Sequence, residues 1–175
     1  MKSAAPDLRA LVKDVPDFPK KGIVFKDITP LLSDPAAFAA AVDEMAAPFQ
    51  GRNIALVAGI EARGFLLAGP VARSLNAGVT LIRKKGKLPR RTVGVTYSLE
   101  YGEDSLEAHA DAVPAGAGVL VVDDVLATGG TAAAACQLVE KLGGRVEGLS
   151  FLMELGFLRG REKLSGRVIR ALLTY

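Results

Sequence analysis

The chain has 175 residues, long enough to bury a full hydrophobic core as one domain. Half of the residues are hydrophobic and 23% are charged, which argues against a disordered chain. A net charge of +3 is too small to argue for nucleic acid, and the single cysteine, Cys136, excludes an internal disulfide or a cysteine-based metal cluster.

The first residues, MKSAAPDLRALVKDV, lack the apolar core of a signal sequence, and no window holds about 18 uninterrupted apolar residues. The expectation is a soluble, cytoplasmic protein with no membrane partner. Leu8, Leu11 and Val12 at helical spacing predict a helix over 7–14. Pro16, Pro19 and Pro30 then surround the apolar group Ile23-Val24-Phe25. Prolines at that density forbid a regular helix and predict a structured excursion outside the main fold. Asp34 is placed to cap the next helix, with Pro35 at its first position and apolar residues running to Phe49.

Residues 53–60, NIALVAGI, are apolar without alternation, the pattern of a strand buried on both faces. The segment EARG at 61–64 leads into a helix over 65–75 that contains Pro70. A strand follows at 79–84, then the loop KGKLPRR, then an alternating strand over 93–101 with a short return partner at 106–110. Residues 119–123 form another strand, and a glycine turn leads to a helix over 131–142 that Gly143 and Gly144 end. The last two strands, VEGLSFLMEL and RVIRALLT, flank the polar RGREKLSG. Strands alternating with helices give an α/β fold with a largely parallel sheet.

The segment VLVVDDVLATGGT, residues 119–131, concentrates the chemistry. In open parallel sheets ligands bind beyond the carboxyl ends of the strands, where Asp123 and Asp124 are expected. Ala127, Thr128, Gly129, Gly130 and Thr131 open a helix, so unpaired amides and the helix dipole converge on an anion site with two hydroxyl donors. No lysine follows as in a Walker loop, and the spacing is not that of a dinucleotide fingerprint. A ribose phosphate fits, with amides on the 5′-phosphate and aspartates on the sugar hydroxyls. Glu61 to Gly64 repeat the order of strand end, glycine and helix start, and Arg63 suits a second anion there. Residues 83–92 hold six cations in ten residues without interleaved aromatics, which fits a lid over a pyrophosphate better than a nucleic-acid surface. His109, the only histidine, lies far in sequence from these motifs and is expected to be structural or on the surface.

The 119–131 segment resembles the phosphoribosyl-pyrophosphate (PRPP) motif of the type I phosphoribosyltransferases. VPDFPKKGIVFKDITPLL, GIEARGF, RKKGKLP, SLEYG and MELGFLRGREKL resemble the adenine-using branch of that family, in the same order and over nearly the whole chain from Val15. The resemblance implies the type I fold in a single domain over 1–175. A central, mostly parallel sheet is flanked by helices, with an N-terminal hood at roughly 15–33 and a lid loop at roughly 84–102. It implies transfer of the 5-phosphoribosyl group from PRPP to adenine, giving AMP and pyrophosphate. Mg2+ would be held mainly through PRPP and water, with no direct protein ligand. The implied partners are adenine, PRPP and a second copy in a homodimer, without nucleic acid.

The resemblance also distributes roles. Asp123, Asp124, Ala127, Thr128, Gly129, Gly130 and Thr131 would hold the ribose phosphate. Glu61, Ala62 and Arg63, with a cis bond between the first two, would hold pyrophosphate together with Arg83, Lys84, Lys87 and Tyr101. Lys87 could reach across a dimer interface. Phe25 and Leu155 would take opposite faces of adenine, while backbone groups of Val24 and Lys26 read its edge. Glu100 and Arg63 are the catalytic candidates; Glu100, as general acid at the imidazole nitrogen, would need a raised pKa. Ala127 stands where 6-oxopurine relatives carry an acid, which favours adenine. Arg90 and Arg91 receive no role. A different nucleobase, or a PRPP-sensing regulator on the same fold, remain alternatives.

Overall fold

Prolines decide how the chain begins in the computed structural model, which describes residues 6–98 and 102–175. Two site candidates, Glu100 and Tyr101, lie outside the described residues. The excursion around Pro16 and Pro19 is an antiparallel ribbon of Lys13–Pro16 (β1) and Val24–Asp27 (β2), with Pro16 opposite Val24. The helix expected over 7–14 is corrected to one 3-10 turn, Arg9–Leu11. Eight residues are too few to repay helix nucleation, and the strand pairing of β1 claims the last two of them, Lys13 and Asp14. Thr29–Ser33 (α1) carries Pro30 in its first turn, where no helical N–H is missed. Pro35–Ala46 (α2) starts as expected: Asp34 Oδ1 accepts hydrogen bonds from the amides of Ala36 and Ala37, each at 2.9 Å. The chain divides into two compact units, Met1–Glu44 and Met45–Tyr175, the division falling within α2.

The second unit is built on seven strands: Leu56–Ile60 (β3), Gly78–Lys84 (β4), Thr92–Ser98 (β5), Glu103–His109 (β6), Gly118–Leu126 (β7), Arg145–Glu154 (β8) and Ile169–Thr174 (β9). Their order in the sheet is β5-β6-β4-β3-β7-β8-β9. The five from β4 to β9 run parallel, and β5 and β6 add an antiparallel hairpin on the β4 side, with Arg83 opposite Glu107. Gly64–Ser74 (α3) connects β3 to β4, and Gly130–Lys141 (α4) connects β7 to β8.

Burial on both faces explains why β3 and β7 show no alternation. A Cβ at Gly59 would stand 2.7 Å from Ala68 Cβ, so α3 lies tight on one side of β3. On the other side Ala58, Ile60, Val119 and Val121 share a core with Ala135, Cys136, Leu138 and Val139 of α4. Burial pushes the Cys136 thiol up to about 11. Pro70 is accommodated within α3. The carbonyl it leaves without a helical donor belongs to Leu66, on the exposed side of the helix. Gly143, at φ 89°, ends α4: its N–H bonds to Glu140 O and that of Gly144 to Val139 O.

Two boundaries differ from the sequence reading. The return strand is β6, paired along its length from Glu103 against Ser98 to His109 against Thr92. The strand expected to end at Asp123 continues to Leu126, because β8 goes on pairing it through Val125–Met153 and Leu126–Glu154. Asp123 and Asp124 therefore belong to the strand and do not lie beyond it. Among the described residues no helix is long and apolar enough to cross a membrane.

The cap at α2 is testable. Asp34→Ala is expected to destabilise the protein by about 1 kcal/mol, read as a lowered urea midpoint at unchanged slope.

Candidate active site

The end of β7, residues 127–131 and the start of α4 form one side of a cleft of about 240 Å³. Glu61 and Lys84, at neighbouring strand ends, form another. Helix α4 begins at Gly130, so its first amides have no intrahelical acceptor and converge where Thr128 and Thr131 line the cleft. Gly129 has φ 79°, and a Cβ there would lie 2.3 Å from Gly160 O. The contact is reciprocal: a Cβ at Gly160 would lie 2.2 Å from Ala127 O. Backbone against backbone, these two glycines fix the turn, which explains the glycine in the RGREKL segment. Sequence reasoning gave Gly160 no role, since only the fold brings it to the turn.

The two aspartates part ways, as neighbours on a pleated strand do. Asp123 lines the cleft, and its Oδ1 accepts the Asp124 amide at 2.9 Å. Asp124 is 4% exposed and faces Arg63, with Oδ2 at 2.6 Å from Nη2. That pair is ionic by distance, but the approach is off the hydrogen-bonding direction. Burial raises the pKa of both carboxyls; the charge of Asp124 pushes Asp123 well up, whereas Arg63 restrains the rise at Asp124. Gly64 is required beside them, because a Cβ there would meet Asp123 Oδ1 at 2.8 Å. The EARG and DD segments thus interlock.

Glu61 organises the cations. Its carboxylate accepts from Lys87 Nζ at 2.5 Å, from Arg83 Nε and Nη2 at 3.3 Å each, and from the Lys84 amide at 3.0 Å. Arg83 Nη1 also donates to Lys87 O at 2.8 Å. Burial alone would raise the Glu61 pKa, but the bonds from Lys87, Lys84 and Arg83 outweigh it and hold the carboxyl at about 2. The Glu61–Ala62 peptide is cis, as the resemblance implies. Ala62, Arg63, Arg83 and Lys87 surround the strand ends without lining the cleft, and Lys87 engages Glu61 of its own chain.

Lys84 lines the cleft and pairs with Asp104 on β6. Asp104 stands opposite Tyr97 of β5, whose hydroxyl lies 3.2 Å from Asp104 Oδ2 and 3.2 Å from Thr131 Oγ1. Neither residue was singled out from sequence; the signal was their cross-strand register, legible only once the hairpin pairing is known. Leu155 lines a second cleft, of about 190 Å³, with Glu154, Arg161 and Glu162. Val24, Phe25 and Lys26 lie on β2 in the first unit. There Phe25 meets Phe18 edge-on at 5.2 Å, and Lys26 pairs with Asp14.

A model of the phosphoribosyl transferase domain family matches residues 31–154. The adenine phosphoribosyltransferase of Thermobifida fusca is 59% identical over 163 residues, 93% of either chain. The solved adenine phosphoribosyltransferase of Thermoanaerobacter pseudethanolicus aligns with a TM-score of 0.94 at 50% identity, covering 97% of this chain and 98% of its own. A Saccharomyces cerevisiae adenine phosphoribosyltransferase, solved with an imino-altritol bisphosphate and adenine, aligns with a TM-score of 0.87 at 40% identity, over 93% and 94% of the two chains.

Because the Glu61 carboxyl sits at about 2 in the fold against an ordinary 4.5, its charge stabilises the fold above pH 4.5. That contribution is lost as pH falls from 4.5 towards 2. The unfolding free energy of wild type should exceed that of Glu61→Gln above pH 5, and the gap should close on acidification. Urea titrations at stepped pH read it.

Proposed function

The chain belongs to the phosphoribosyltransferase family, and from that premise we propose that it transfers the 5-phosphoribosyl group of PRPP to adenine, giving AMP and pyrophosphate. The observation that carries this reading is the amide-lined turn at the start of α4, sharing one cleft with Asp123 and Lys84. It offers a phosphate site, a carboxylate for ribose hydroxyls and a cation for the leaving group, side by side.

In this mechanism the amides of the 127–131 turn and the Thr128 and Thr131 hydroxyls take the 5′-phosphate. Asp123 takes the ribose hydroxyls, and Asp124 orients Arg63. Both carboxylates favour the positive charge that develops at the anomeric carbon as the sugar passes through an oxocarbenium-like state. Lys84, Lys87, Arg83, Arg63 and the 61–63 backbone stabilise the departing pyrophosphate. Glu61 keeps Arg83 and Lys87 gathered until the more highly charged pyrophosphate competes for them. Base recognition is assigned to Phe25 and the backbone of Val24 and Lys26, and also to Leu155. Glu100 is the acid–base group at the imidazole nitrogen that attacks from the opposite face, and Tyr101 belongs with the pyrophosphate. No covalent intermediate is needed.

Mg2+ belongs to the same proposal. The ion prefers oxygen donors and usually keeps several waters beside substrate phosphates; with Glu61 committed to its cations and Asp123 to the ribose, this fits an ion without a direct protein ligand. Held mainly through PRPP and water, it would neutralise charge on the leaving pyrophosphate.

A homodimer is supported by Val79 and Leu81, which are 47% and 42% exposed on a parallel strand. Such strands are normally covered on both faces. The family match over 31–154 supports one phosphoribosyltransferase domain over the whole chain. Location in the cytoplasm is part of the proposal.

The test is pyrophosphate release from PRPP and Mg2+ with adenine, hypoxanthine, guanine, xanthine or orotate supplied separately. Turnover with adenine alone is expected. Turnover with an oxopurine would overturn the base assignment, and PRPP binding without turnover would make the protein a sensor. In the same assay Gly160→Ala, which forces the phosphate turn out of place, should raise the KM for PRPP about tenfold or more.

A further inference from the structure

The β5–β6 hairpin carries two polar side chains that the transfer mechanism does not use. Tyr97 and Asp104 face one another across the strands and do not line the cleft. They connect two residues that do: Thr131, at the phosphate turn, and Lys84, at the end of β4. The line runs Thr131 Oγ1, Tyr97 OH, Asp104 Oδ2, Lys84 Nζ, with the first two separations 3.2 Å each. We propose that Tyr97 and Asp104 are positioning residues that couple occupation of the phosphate turn to the seating of Lys84 at the same cleft. This rests on the cleft being the PRPP site.

The coupling follows from counting protons. The Tyr97 hydroxyl has one proton and two acceptors in reach. Burial raises its pKa, so it stays a phenol at neutral pH. The Thr131 hydroxyl also has one proton. When a phosphate fills the turn, Thr131 donates that proton to a phosphate oxygen, and its own oxygen becomes an acceptor for Tyr97. The phenolic proton then leaves Asp104, whose carboxylate concentrates on the Lys84 ammonium. Hydrogen bonds to Lys84 and the Ser105 amide hold the Asp104 pKa down against burial, so it carries the charge this requires. Lys84 uses one N–H on Asp104 and presents the others to the cleft, where a second phosphate would lie. An empty turn leaves the phenolic proton on Asp104 and Lys84 less firmly held.

The experiment measures binding of ribose 5-phosphate and inorganic pyrophosphate to the full-length protein, alone and together, by calorimetry with Mg2+. Wild type is expected to bind pyrophosphate about tenfold more tightly when ribose 5-phosphate saturates the turn. Tyr97→Phe and Asp104→Asn, both close in shape to the native residues, should reduce that factor to about one. Each should leave the affinity for ribose 5-phosphate alone nearly unchanged. Thr96→Val removes the neighbouring cross-strand pair, Thr96 to Ser105 at 2.9 Å, without touching this line, and should keep the coupling. Coupling that survives Tyr97→Phe, is absent from wild type, or is lost equally in Thr96→Val would overturn the proposal. The last result would mean mere loosening of the hairpin. Wild type that binds neither compound would instead remove the PRPP reading of the cleft, and this coupling with it.

Discussion

Six cations within ten residues repel one another, and the second unit must fold around them before any substrate arrives. Carboxylates solve this. Glu61 takes Arg83 and Lys87, Asp104 takes Lys84, and Asp111 takes Arg90. The exposed Arg90–Asp111 pair is screened by water and contributes little. The Glu61 cluster is different: its carboxylate is 9% exposed, and several donors converge on it. Charge gathered this way would be available to the proposed pyrophosphate without a large rearrangement, the electrostatic preparation that such a transfer needs.

That preparation relies on backbone packing at the strand ends. Gly64 admits Asp123, so the start of α3 lies tight on β7, and Gly129 and Gly160 admit one another, so two turns distant in sequence pack backbone to backbone. A methyl group at Gly129 or Gly160 would meet backbone and push one turn off the other. The cleft is therefore set by main-chain geometry, and the side chains lining it inherit their places. An anion arriving at the start of α4 would meet amides whose directions are already fixed.

Much of this was legible in the sequence, for local reasons. Asp34 before Pro35 announced a helix start, and the unalternating runs at β3 and β7 announced strands covered on both faces. The turn at 127–131 announced the start of α4 by its glycines. What was not legible depended on pairing. The apolar spacing over 7–14 suggested a helix, but β2 took Lys13 and Asp14 as partners and left room for only a 3-10 turn before them. The end of β7 was set by β8, which the residues of β7 do not encode. Two adjacent aspartates looked equivalent until the pleat gave one to the cleft and the other to Arg63. Tyr97, Asp104 and Gly160 acquire meaning only through neighbours far along the chain.

Cys136 lies on the buried side of α4, the helix that the 127–131 turn opens. Burial pushes its thiol up, so the thiolate is scarce at neutral pH. The nucleophile that peroxides and alkylating agents attack is thus both scarce and shielded. Alkylating agents and mild oxidants are therefore expected to leave this thiol untouched while the protein stays folded.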